Sequence, residues 1–138
     1  MLRKLTIACA CALTLSAAAE AEQFSVPAGN WQTTVTSTNS FMPTPITRTR
    51  TECRKETSFD PAKMMDGEEE CTLDKQDISG NVLTFEMTCR TDGGVMKGKG
   101  RYELNGDQMK GTMDMQMNMG AQSMSMHMEF NGKRLGDC

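Results

Sequence analysis

Between residues 109 and 130 the chain alternates with a period of two. Met109, Met113, Met115, Met117 and Met119 occupy every second position with Gly111 completing the series, and after a short break Met124, Met126, Met128 and Phe130 alternate again. Lys110, Thr112, Asp114, Gln116 and Asn118, then Ser125, His127 and Glu129, fill the intervening places. Such alternation predicts two β-strands, each with one apolar and one polar face. The apolar face has an unusual composition. Strands ordinarily place Val, Ile and aromatic side chains there, because stiff groups suit a pleated surface. Here the positions are thioethers, which are flexible and polarisable and can ligate Cu(I).

Turn chemistry extends the pattern to neighbouring strands. Asn105-Gly106 is a strong two-residue hairpin signal and predicts that Tyr102 faces Met109, Gly100 faces Gly111, Gly98 faces Met113 and Met96 faces Met115. A turn at Ala121-Gln122 predicts Met119 opposite Met124, Met117 opposite Met126, Met115 opposite Met128, Met113 opposite Phe130 and Gly111 opposite Gly132. All the methionines then share one face of a three-stranded meander. Gly100, Gly111 and Gly132 form a row across it, where the sheet is expected to coil with Trp31 lying over the gap. Lys97, Lys99 and Arg101 fall on the opposite, solvated face of the Gly94–Leu104 strand, which Asp92-Gly93 introduces.

Upstream, Cys71–Asp77 and Val82–Cys89 flank a turn centred on Gly80. The implied register sets Cys71 opposite Cys89, Leu73 opposite Met87 and Lys75 opposite Phe85. Directly opposed cysteines come within disulfide range, so Cys71 is paired with Cys89. Cys53 is left for Cys138, closing a long loop that should stabilise strongly.

The N-terminus reads differently. Arg3 and Lys4, an apolar run from Leu5 to Ala18 and the small-x-small triplet Ala19-Glu20-Ala21 form a secretory signal peptide, too short for a membrane anchor, with cleavage after Ala21. Cys9 and Cys11 belong to that leader. The chain is thus expected to comprise a signal peptide, 1–21, and a single β domain, 22–138. Cys53, Cys71, Cys89 and Cys138, in an exported small domain, read as a disulfide framework. Large hydrophobes are scarce, with one Trp, one Tyr and five Phe, so covalent staples should help hold the domain together. The formal net charge of −3 argues against nucleic acid or an anionic membrane surface as partner.

In the remaining chain, Gly29-Asn30 turns into a strand over Trp31–Ser37, with Trp31, Thr33 and Val35 on one face. Phe41 to Pro45 is a proline-marked loop. Ile46–Cys53 is a second strand, with Thr47, Thr49, Thr51 and Cys53 on one face and Arg48, Arg50 and Glu52 on a solvated one. Asp60-Pro61 opens a short helix through Met65, and Asp66–Glu70 is an acidic loop without the spaced ligands of a calcium site. The fold class is all-β: an antiparallel up-and-down meander of about seven strands, coiled into a small open barrel or strongly curved sheet, with one short helix near 60–65 and two disulfides.

Two terminal motifs carry a family resemblance. Pro27-Ala28-Gly29-Asn30-Trp31-Gln32-Thr33-Thr34-Val35 resembles an N-terminal Gly-x-Trp-x-x-Thr signature. Arg134-Leu135-Gly136-Asp137-Cys138 resembles a C-terminal Arg-x-Ile/Leu-Gly-x-Cys ending, one residue shorter between Arg and Leu. With the four spaced cysteines, the chain is similar to the domain of unknown function 3617 family, small exported proteins of Gram-negative bacteria. The resemblance implies a periplasmic β-rich domain with structural cysteines, and no activity or catalytic residue to carry over.

Catalytic constellations are thin. There is one His, no supported Ser/His/Asp arrangement, no thiol expected to be free and no glycine-rich phosphate loop between a strand and a helix, so the expectation is that the protein is not an enzyme. Three readings of the stripe stand. It can be a core whose unbranched side chains fill an irregular interior. It can wall a pocket for an apolar small molecule, or face an envelope protein, through Trp31, Met96, Tyr102, Met109, Met113, Met115, Met117, Met126, Met128 and Phe130. It can bind Cu(I) or Ag(I) through Met115, Met117, Met119, Met124, Met126 and Met128. Against the metal reading, alternation turns His127, the natural co-ligand, to the opposite face.

Overall fold

The structure, a computed structural model, describes residues 23–64 and 70–138. The expected leader and its cleavage position, and the acidic stretch up to Glu69, lie outside the described residues. The described chain forms β1 (Gly29–Asn39), β2 (Ile46–Arg54), a single 3-10 turn over Pro61–Met64, β3 (Glu70–Ser79), β4 (Val82–Thr91), β5 (Gly94–Asn105), β6 (Gln108–Met119) and β7 (Gln122–Gly136). The seven strands make one antiparallel sheet in the order β2-β1-β7-β6-β5-β4-β3. Strands β3 to β7 are an uninterrupted meander, and the β1–β2 hairpin is added along β7. The sheet is not closed, because β2 and β3 are its two edges. Both expected disulfides are present, with Cα separations of 5.6 Å for Cys53–Cys138 and 4.0 Å for Cys71–Cys89.

The hairpin registers differ from expectation in an instructive way. Ladder β5–β6 pairs Tyr102 with Gly111, Gly100 with Met113, Gly98 with Met115 and Met96 with Met117, two residues away from the expected pairs. Ladder β6–β7 pairs Met117 with Met124, Met115 with Met126, Met113 with Met128, Gly111 with Phe130 and Met109 with Gly132, again shifted by two. The cause lies in the turns. Gly106 and Gly120 have φ of 60° and 65° and each is the first residue of its two-residue loop. A glycine leading a tight loop gives the Gly-X hairpin turn, whereas the Asn105-Gly106 reading required positive φ at Asn105. An even shift leaves every side chain on its expected face. It does abolish the straight row of Gly100, Gly111 and Gly132.

Strands β3 and β4 show a second departure. Cys71 and Leu73 do face Cys89 and Met87, but Lys75 lies opposite Glu86 and Gln76 opposite Phe85, with a bulge between Leu73 and Lys75. An unbroken ladder would have put the Lys75 ammonium on the apolar face. The extra residue turns it outward, where Nζ is 3.3 Å from Glu86, and brings Ile78 round to pack against the core.

Because β2 and β3 are opposite edges, the connection between them must cross the sheet, and it does so over the apolar face. Residues 24–26 and 57–59 pair there as a two-stranded strap: Val26 N donates to Thr57 O at 2.8 Å and Phe59 N to Phe24 O at 3.0 Å. Phe59 sits edge-on to Tyr102 with ring centroids 5.0 Å apart, and Phe24 packs on Phe59 at 5.9 Å. Arg54 lies over the outer side of this plug, its guanidinium 5.4 Å from the Phe59 ring centre and its Nη2 donating to Ser58 O. The core is therefore one sheet face closed by a strap of its own chain.

Candidate functional site

The apolar face is built in rows across the strands. Nearest the β1–β2, β4–β5 and β6–β7 turns, Cys89, Met96, Met117 and Met124 stand side by side. The next row holds Met87, Gly98, Met115 and Met126, and the next Phe85, Gly100, Met113, Met128, Ser37 and Ile46. Beyond it come Leu83, Tyr102, Gly111, Phe130, Val35 and Arg48.

The ten side chains named for this face sit in or against one buried cluster. Trp31, Met96, Tyr102, Met109, Met113, Met115 and Phe130 are buried, while Met117, Met126 and Met128 are only partly covered. Of the six expected thioether ligands, Met117 and Met124 are directly opposed, as are Met115 and Met126. Met128 sits one row deeper, opposite Met113. Met119 faces Gln122 instead of Met124 and is exposed. His127 is on the other face, its Nδ1 2.6 Å from Asp114 Oδ1. That hydrogen bond raises the imidazole pKa, helped by the nearby Asp114 and Glu129 charges and opposed by burial.

Several contributors were not anticipated. Phe24, Val26 and Phe59 close the face, and no periodicity marks them, because a strap is irregular in sequence. Alternation along β2 puts Arg48 on a solvated face. It is exposed, but that face is the continuation of the apolar one: Arg48 lies directly opposite Val35. The register of the β1–β2 hairpin would have revealed it. Lys99 and Arg101, by contrast, are on the wet side, within 3.7 Å of Glu86 and 2.9 Å of Glu103.

Glycines make room for rings on this face. A Cβ at Gly100 would overlap the Phe85 ring and one at Gly111 would overlap the Tyr102 ring, and each glycine is the cross-strand partner of that aromatic. Trp31 carbons lie 3.5 Å from where a Cβ would stand on Gly132, so the indole does cover that glycine as expected. At the centre, Tyr102 is fully buried among Phe59, Phe85 and Phe130. Its hydroxyl has no hydrogen-bond partner among the described residues, and burial pushes its pKa upward. A buried hydroxyl without a partner costs about 1–3 kcal/mol. Tyr102→Phe is therefore expected to leave the unfolding free energy unchanged or raise it by about 1 kcal/mol, measured by urea denaturation. A clear loss of stability would mean that the hydroxyl is hydrogen-bonded in solution.

The two terminal motifs meet at the far end of the sheet from the methionine rows. Trp31 pairs with Arg134, and Trp31 Nε1 donates to Pro27 O at 2.8 Å. Arg134 Nε donates to Ala28 O at 2.7 Å. Gly29 has φ of 142°, and a side chain there would strike both Arg134 and the Gly136 carbonyl. Cys53–Cys138 staples the same corner. These motif residues close the architecture, and the face they leave open lies elsewhere.

Among the described residues no helix is long and apolar enough to cross a membrane, and no group of three or more His, Cys, Asp or Glu side chains could hold a metal ion. The family model described as protein of unknown function (DUF3617) matches residues 26–138, and the chain belongs to that family. No curated protein and no solved structure matches it.

Proposed function

We propose that this member of the DUF3617 family is an exported periplasmic binding module, without catalytic activity, whose sheet face accepts an apolar small molecule carrying an anionic head. The observation that carries the reading is the uneven closure of that face. The strap buries the aromatic rows, while toward β7, β1 and β2 the side chains of Met126, Met128 and Val35 are only partly covered and Ile46 is exposed. Flexible thioethers suit adaptable apolar contact. Arg48 stands at the rim beside Val35, exposed and without an ion-pair partner among the described residues, so a tail along Met128 and Ile46 would bring a negative head to a guanidinium. Two disulfides suit an exported chain.

The test compares two fluorescent probes, neutral N-phenylnaphthylamine and anionic anilinonaphthalene sulfonate. Both should bind the native protein. Arg48→Gln should weaken the anionic probe about three- to fivefold, the scale of one exposed charge contact, and leave the neutral probe unchanged. Failure of both probes to bind would overturn the reading. Equal binding of the anionic probe to wild type and Arg48→Gln would remove the anionic head from it.

A further inference from the structure

We propose that Met117, Met124 and Met126, backed by Met115, form a binding site for monovalent copper. The inference rests on the observed register, which brings together thioethers that the sequence-derived pairing had kept in different partnerships. Met117 is directly opposite Met124, and Met115 directly opposite Met126. Directly opposed residues have Cβ atoms about 5 Å apart, and three rotatable bonds let each sulfur swing toward its neighbours. Four thioethers thus occupy the corners of one patch, with Met96 flanking Met117 on the β5 side.

Burial grades across this patch. Met115 and Met96 are buried, whereas Met117, Met124 and Met126 are partly exposed. An ion arriving from solvent would meet three partly exposed methionines with a buried fourth beside them. The surrounding chemistry selects the ion. Thioethers are soft neutral donors that favour Cu(I), and hard divalent ions prefer oxygen or imidazole. Harder or stronger donors nearby are engaged: Cys89, in the same row, is tied to Cys71 in a disulfide, and His127 is held by Asp114 on the opposite face. The copper is taken up as Cu(I), with no redox step.

The site is separable from the apolar-ligand reading because methionine and leucine are alike in size and apolarity but not in donor chemistry. Such exchanges usually cost under about 1.5 kcal/mol each, so a variant with Met117, Met124 and Met126 all changed to Leu should fold, which its circular dichroism spectrum and cooperative urea unfolding check. Disulfide-intact protein with isotopically labelled methionine methyls is titrated with Ag(I), a redox-inert stand-in for Cu(I), and its methyl resonances are followed. Cu(I) affinity is measured anaerobically against a competing chelator. Expected are saturable shifts at the methyls of Met117, Met124 and Met126 with one equivalent of Ag(I), and a loss of at least about 100-fold in Cu(I) affinity in the triple variant, corresponding to about 2.7 kcal/mol. Shifts spread over exposed methionines such as Met42 and Met119, no shift at all, or a triple variant that competes as well as wild type would each overturn the site.

Discussion

Replacing Cys53 and Cys138 together with alanine should lower the unfolding free energy by about 4–5 kcal/mol, against about 3 kcal/mol for the Cys71/Cys89 pair. The chain-entropy argument sets the order, because the first bridge spans 85 residues and the second 18. The structure adds a local reason. Strand β2 is an edge strand with no buried side chain. Besides its ladder to β1 and the contacts of Arg54 with the strap, the Cys53 bridge ties it past β1 to the chain just beyond β7. Cys71–Cys89 instead links strands already joined by a tight hairpin. Urea denaturation of both alanine pairs measures the difference. Hydrogen exchange locates it: loss of Cys53–Cys138 should strip protection from β2 amides while sparing those of β5 and β6. Equal losses for the two bridges would show that the entropic account does not hold for this fold.

Which parts were readable in advance follows from the kind of signal each leaves. Period-two alternation fixes faces, so the membership of the apolar face was legible down to single residues, from Met96 to Phe130. Opposed cysteines on one hairpin fixed the first disulfide and, by elimination, the second. Register was not legible to the same degree. Asn105-Gly106 and Ala121-Gln122 compete with loops that begin at Gly106 and Gly120, and the choice depends on which residue takes positive φ. Moving the loop by one residue changes every cross-strand partner and no face. The bulge before Lys75 was invisible because only the cost of an ammonium on an apolar face calls for it. The strap was invisible for another reason. Phe24 and Phe59 have no periodic context, and their role arises only once β2 and β3 become opposite edges. The candidate site shared this fate: Met115, Met117, Met124 and Met126 are among the six ligands that the Met-x-Met alternation suggests, but which of them stand directly opposite one another comes from the register.

Gly100→Ala should destabilise the protein by about 2–3 kcal/mol, near the upper end of what one inserted carbon costs in a packed core. The backbone is not the reason, since Gly100 does not adopt positive φ. The reason is volume: a methyl there would occupy the space of the Phe85 ring, which is stacked at 5.8 Å on Tyr102 and cannot simply swing aside. Gly111→Ala meets the Tyr102 ring in the same way and should behave alike. Gly132→Ala is the control, because Trp31 lies at ordinary contact distance and the cost should be well under 1 kcal/mol. Pairing Gly100→Ala with Phe85→Leu tests the mechanism. The shorter side chain vacates the overlapped space, so the double variant should be more stable than the sum of single effects predicts, with a coupling of about 1–2 kcal/mol. Additive effects would mean that Gly100 is required for something other than the ring beside it. Each ring and its cross-strand glycine fill one volume between them. A diagonal of ring–glycine pairs supports the aromatic end of the face. The thioether end has no such ring–glycine pair, and Met117, Met124 and Met126 there are only partly covered.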